Sequence, residues 1–168
     1  LDNVFTYNFA LGDRMCEIQI PELDFWKSQN VGFFSIDKNI RKNIQNDALE
    51  GKTSMNIESG DQYTVEQRTL DSFNYKFDIN LIKVDIEGFE LEFFIGSSNT
   101  IKANSYPPII FELWTGKSWY EQKAQKTKEI LADWGYEFSE FGREILAQHP
   151  SHPIQCKIEK NGNSVNLS

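Results

Sequence analysis

Cysteine and histidine are nearly missing from this chain, and their scarcity removes several classes of chemistry at once. Cys16 and Cys156 are the only cysteines, far apart and in no metal-binding or redox spacing. A disulfide is therefore not implied, and a reducing, cytoplasmic location is expected. His149 and His152 form an H-x-x-H, each followed by proline, but no further ligands stand at zinc spacing. A surface loop outweighs a metal pair there, and no metal site is expected. Lys and Arg number 17 against 25 Asp and Glu, for a formal charge of -8. A nucleic-acid partner needs clustered cations to displace counterions and is excluded on that ground. Lys123, Lys126 and Lys128 do cluster, but on the polar side of an expected helix, where they read as a solvated face. No apolar run approaches the ~20 residues of a membrane span, and no signal-peptide pattern is visible. The P-loop, G-x-S-x-G and zinc-deaminase spacings are also lacking.

What is present suits a globular α/β domain. A length of 168 residues with 39% hydrophobic and 14% aromatic content supports one core. Its organising stretch is Ile79 to Glu90. Ile79, Leu81, Ile82 and Val84 make a short apolar run of the kind buried on both faces of a parallel sheet. Asp85 and Glu87 cannot remain inside a dry sheet without partners, so the strand ends there, at its carboxyl edge. Gly88 permits a sharp turn. Leu91, Phe94, Ile95 and Ile101 then share a helical face, Pro107-Pro108 closes the segment, and Ile109-Ile110-Phe111 begins another strand. Strand, acidic turn, helix and strand make a βαβ crossover, whose ligands lie beyond the carboxyl ends of the strands.

Around that unit, Val4 to Leu11 alternates with Phe5, Tyr7 and Phe9 on one face and meets a Gly12-Asp13 turn. Arg14 to Ile20 reads as a returning strand stopped by Pro21. Residues 22–61 read as a loop or lid insertion with one short helix on Ile36, Ile40 and Ile44, and Asn30 lies in a substrate-side loop. Tyr63 to Arg68 reads as a strand, with Asp71 capping a short turn of helix after it. Ser118 and Glu121 form a capping box, followed by the buried stripe Tyr120, Ala124, Thr127, Leu131 and Trp134 and by Gly135 at C′. Tyr136 to Phe141 and Ile154 to Ile158 read as strands, and residues 161–168 as a frayed tail.

Three blocks carry a resemblance: Thr69-Leu70-Asp71-Ser72, then Ile82-Lys83-Val84-Asp85-Ile86-Glu87-Gly88-Phe89-Glu90, then Pro108-Ile109-Ile110-Phe111-Glu112. In order and spacing they resemble the C-terminal half of FkbM-type methyltransferases. That resemblance implies a Rossmann-like class I sheet, S-adenosylmethionine as cofactor, and O-methylation of a hydroxyl on a sugar, glycan or small metabolite. The glycine-rich loop that holds the cofactor in such proteins has no counterpart here, and the first residue is Leu. The fold is accordingly expected to be N-terminally incomplete, with negligible cofactor affinity in these 168 residues and measurable affinity in an N-terminally extended chain. The resemblance also implies the sheet order 3-2-1-4-5-7-6, with an uncovered edge on the strand of Ile79 to Val84. A non-catalytic relic or binding module, or another sugar-processing Rossmann-like enzyme, is the rival.

On this reading Asp85 is the first candidate for the base that takes the acceptor's proton, and Glu87 the second. Asp85→Asn is expected to lower turnover by roughly two to four orders of magnitude, and Glu87→Gln by less. The competing role for both acids is at the N-terminus of the next helix, as cap and dipole partner. Gly12, Asp13 and Asp85 are the candidate cofactor contacts, Asp13 by its likeness to the acid that accepts from the adenine amino group, although Gly-Asp after a strand is equally a turn. Glu112, Trp114 and Asn30 are the candidate acceptor contacts, with Trp119 and Tyr120 as possible walls of a sugar pocket or simple core residues.

Overall fold

A computed structural model describes residues 3–28, 34–54, 56–73, 78–161 and 164–167. The apolar strands assemble a sheet from β4 (Ile82–Val84), β5 (Ile109–Glu112), β6 (Glu137–Phe141) and β7 (Glu144–Gln148), side by side in the order β4-β5-β7-β6. β4 and β5 run parallel, Ile82 opposite Ile109 and Val84 opposite Phe111, while β7 is antiparallel to both its neighbours. Among the described residues β4 has a ladder partner only on its β5 side. A second sheet holds β1 (Ala10–Leu11), β2 (Cys16–Leu23) and β3 (Glu58–Arg68) in the order β1-β3-β2, and β8 (Ile158–Asn161) pairs with β9 (Ser164–Leu167) as a hairpin.

One face of the larger sheet makes the core. Val84, Ile109, Phe111, Ile145 and Ala147 pack against α2 (Glu90–Ile95), α3 (Ser98–Ala103) and α4 (Ser118–Asp133) through Phe94, Ile101, Tyr120 and Leu131. Phe94 and Phe111 meet edge to face with centroids 5.5 Å apart. α1 (Lys38–Leu49), capped by Asp37, adds Ile40 and Ile44 to the same cluster.

Several expectations need correction. Within residues 22–61 the expected short helix is present as α1, which buries Ile40 and Ile44, but the stretch is not otherwise a loop: it also holds the end of β2 and the start of β3. Only Ala10–Leu11 of the alternating N-terminal run joins a ladder; Tyr7 and Phe9 instead form a ring cluster with Phe73. Pro21 does not stop β2. The strand lies at the edge of its sheet, where a missing N–H is tolerated, and its register shifts just after the proline. The expected single helix after the acidic turn is two, broken at Gly96-Ser97, and α3 is capped from a distance: Asp71 accepts from the amides of Asn99 (3.1 Å) and Thr100 (2.7 Å). Thr69, not Asp71, caps the 3-10 turn at Leu70–Ser72. Ser118 is already inside α4, with Lys117 at N-cap and no side-chain cap, so the capping box is not formed. At the other end Gly135 (φ 90°) does close α4: Tyr136 N–H returns to Leu131 and Gly135 N–H to Ala132, a Schellman pattern. The strand after β6 is Glu144–Gln148 rather than Ile154 to Ile158, since only the former supplies Ile145 and Ala147 to the core. The tail's Ser164–Leu167 is a strand, its backbone paired within β8-β9.

The two sheets meet where α2 ends. A Cβ on Gly96 would overlap the Gly12 carbonyl oxygen, and Asp71 N–H donates to Gly96 O at 3.0 Å, so backbone sits directly on backbone.

Candidate active site

β4 stops at Val84 and the chain turns through Asp85, Ile86, Glu87 and Gly88 into α2. The reversal uses two successive left-handed residues, Glu87 at φ 51° and Gly88 at φ 91°. That conformation costs nothing special at glycine but is uncommon at glutamate, and side chains held so concentrate at functional positions. Gly88 is also required by space: a Cβ there would lie 3.0 Å from Ile40 Cδ1 and 3.2 Å from the ring of Trp114. α1 and the segment after β5 thus close over the turn. Asp47 holds them together, accepting from Lys117 Nζ at 2.8 Å and Trp119 Nε1 at 3.2 Å.

A buried carboxylate locks the turn from beneath. Glu90, 3% exposed, accepts from Gly88 N–H at 3.0 Å and from Tyr120 Oη–H at 2.7 Å. Burial pushes its carboxyl up, opposed by those two hydrogen bonds and by Lys123. The residue escaped the sequence reading; its one signal was the acid that closes D-x-E-G-x-E. Beside it Lys123 Nζ lies 2.8 Å from Glu92 Oε2, an ion pair outside hydrogen-bond geometry, 3.6 Å from the Asp37 carboxylate and 5.1 Å from the Phe89 ring centre.

Four of the candidates come together here. Asp85 is exposed and lies 3.6 Å from Lys83 Nζ; it does not cap α2, whose N-cap is Phe89 with no side-chain bond. Glu112 ends β5 on the same edge, and Trp114 packs against Gly88, Trp119 and Tyr120. Glu87 differs from Asp85. It is half-buried and its carboxylate has no hydrogen bond or ion pair among the described residues. Desolvation first, then the charges of Asp85, Glu112 and Glu90, push its pKa up to about 7. A cleft of about 390 Å³ opens beside these residues, lined by Glu112, Trp114, Lys117, Glu140, Arg143 and Glu144 among others.

The remaining candidates lie elsewhere. Gly12 is buried in the second sheet's turn, its N–H donating to Arg68 O at 2.9 Å, and a Cβ there would strike Gln67 at 2.6 Å. Asp13 holds Arg14 at 2.8 Å and meets Gln67 Nε2 at 3.5 Å, so both its oxygens are engaged within that turn. Asn30 lies outside the described residues. His149 stacks on Tyr106 at 4.7 Å and abuts Gly135, and His152 is buried. Among the described residues no group of three or more His, Cys, Asp or Glu is placed to hold a metal, and no helix is long and apolar enough to cross a membrane.

A family model described as the methyltransferase FkbM domain matches residues 3–138. This chain belongs to that family. No curated protein and no solved structure matches it. The FkbM-domain match takes in both larger sheets up to the second residue of β6 and includes the acidic turn. Glu140, Arg143 and Glu144, the hairpin side of the cleft, lie beyond it.

Proposed function

We propose that the acidic edge is the place where an S-adenosylmethionine-dependent O-methyltransferase deprotonates a hydroxyl of a sugar, glycan or small metabolite. The β4-β5-β7-β6 order supports a Rossmann-like sheet, being the 4-5-7-6 part of the expected strand order. The observation that carries the reading is Glu87, an unpartnered, half-buried carboxylate whose pKa stands near neutrality. A base is most effective when its pKa lies close to the working pH, and sites of this kind concentrate shifted acids.

When bound, S-adenosylmethionine supplies an electrophilic methyl group on a sulfonium cation. The donor set at the edge fits that cation, because Asp85, Glu87 and Glu112 form a negative rim that a positive charge would relieve. Asp85 and Glu87 are the residues to face it. The closed Gly12-Asp13 turn does not fit an adenine contact, and no step is assigned to it. Glu87 accepts the hydroxyl proton as the oxygen gains nucleophilicity, and Asp85, exposed beside it, positions the acceptor. These roles reverse the order drawn from the sequence, since Asp85 has Lys83 close by and Glu87 has no counter-ion.

Initial rates against pH test the assignment. kcat/KM should fall below an apparent pKa of about 7. Glu87→Gln should lower turnover roughly 10²–10⁴-fold and abolish that limb, with cofactor affinity retained. A limb that persists in Glu87→Gln removes the residue from the role. The closed Gly12-Asp13 turn favours the rival, a binding module without catalysis; absence of S-adenosylmethionine binding in calorimetric titration would support it.

A further inference from the structure

The charges lining the cleft divide into those already satisfied and those that are not. Lys117 is held by Asp47 at 2.8 Å, Lys128 by Glu140 at 2.9 Å, and Glu144 by Lys83 at 2.9 Å. Among the described residues the side chains of Glu112 and Arg143 make no hydrogen bond or ion pair, and they are of opposite sign. The register brings them near each other: Glu112 pairs across the ladder with Glu144, and Arg143 is the next residue, in the β6-β7 turn. Between them and the acidic turn stands Trp114, which lines the cleft and also packs on Gly88. Glu112 is in turn one of the charges that bear on Glu87. The cleft therefore continues the candidate active site, and its volume of about 390 Å³ suits a small ring ligand.

We infer that this cleft is the acceptor subsite and that it takes a sugar ring bearing an anionic substituent, a carboxylate or a phosphate. The inference rests on the reading of the acidic edge as a hydroxyl-methylating site. An indole wall packs against the apolar face of a pyranose, a carboxylate accepts from adjacent ring hydroxyls, and a guanidinium matches the two oxygens of an anionic group. Trp114, Glu112 and Arg143 supply one of each. A neutral sugar would leave Arg143 unused, and a cationic one would face it with like charge. Arg143 and Glu144 lie outside the residues that the FkbM domain matches, so the preference for an anion is a property of this chain's own hairpin.

Isothermal titration of the 168-residue chain with methyl glucuronoside, glucose 6-phosphate and methyl glucoside tests this without any methyl transfer. Both anionic sugars should bind about tenfold more tightly than the glucoside. Arg143→Ala, a change in an exposed turn, should bring them down to the glucoside's affinity, and Glu112→Gln should weaken all three. A preference for only one of the anionic sugars identifies the substituent as carboxylate or phosphate and supports the subsite. Equal affinities, a preference that survives Arg143→Ala, or no binding of any of the three would overturn it. The two readings fail separately: a pH limb that persists in Glu87→Gln with sugar binding intact removes the reaction as assigned and leaves the subsite, whereas methylation of neutral acceptors only does the reverse.

Discussion

Replacing Glu87 with Gln should make the protein more stable above about pH 4.5, with the full gain reached from neutral pH upward. In the folded chain the carboxyl is raised from 4.5 to about 7, chiefly by desolvation and then by three neighbouring acids. Between those values the folded state holds a proton that the unfolded state has released. Stability is therefore fully present below about 4.5 and is lost as pH rises through about 7. Taken whole, such a shift corresponds to roughly 3 kcal/mol, at about 1.4 kcal/mol per pKa unit. Glu87 is only half-buried, and water screens the charges around it, so about 1–2 kcal/mol is the expected cost at pH 8. Gln keeps the shape without the charge. For a chain of this size the gain should raise Tm by about 2–8 °C at pH 8 and leave it unchanged at pH 4. Thermal unfolding followed by circular dichroism at both pH values measures the difference directly. A loss of stability at pH 8, or the same change at both, would refute the reasoning by showing that Glu87 is paired or solvated.

Two further substitutions probe the framework. Tyr120→Phe leaves Glu90 Oε2 buried without its donor and should cost roughly 1–3 kcal/mol in urea unfolding. Gly96→Ala inserts a methyl group where the Gly12 carbonyl lies; it should cost about 1–3 kcal/mol and lower the urea midpoint, whereas an unchanged midpoint would mean the two sheets can separate there freely.

The parts of this fold legible in the sequence were those set by local pattern. Ile109-Ile110-Phe111 announced a strand because β5 is buried on both faces, whereas of the run Ile79 to Val84 only Ile82–Val84 pairs, with Lys83 and Leu81 exposed, because it stands at the sheet's edge among the described residues. Gly135 announced the end of α4 because only a residue at ease with positive φ completes that cap. Glu144–Gln148 was missed because five residues bounded by Arg143 and His149 offer little periodicity, and only its neighbours β5 and β6 make it a strand. The capping box at Ser118 failed by one position, after a turn in which Gly116 takes φ 70°. At the site, sequence brought Asp85, Glu87, Glu112 and Trp114 to one edge but ranked the two turn acids by position along the strand. What separates them is partly local, Lys83 two residues before Asp85, and partly tertiary, Glu112 arriving from another strand to bear on Glu87.

β4 meets the sheet through three residues and, among those described, on one side only. Segments with few ladder bonds open at lower free energy than the whole molecule, so Ile82–Val84 should exchange its amide hydrogens before β5 and β7, and the acidic turn should loosen with it. In the opened state Glu87 regains water and parts from Glu112, and its carboxyl returns toward its ordinary acidity. Near neutrality each such opening therefore releases at most one proton, and the frequency with which β4 detaches becomes a function of pH.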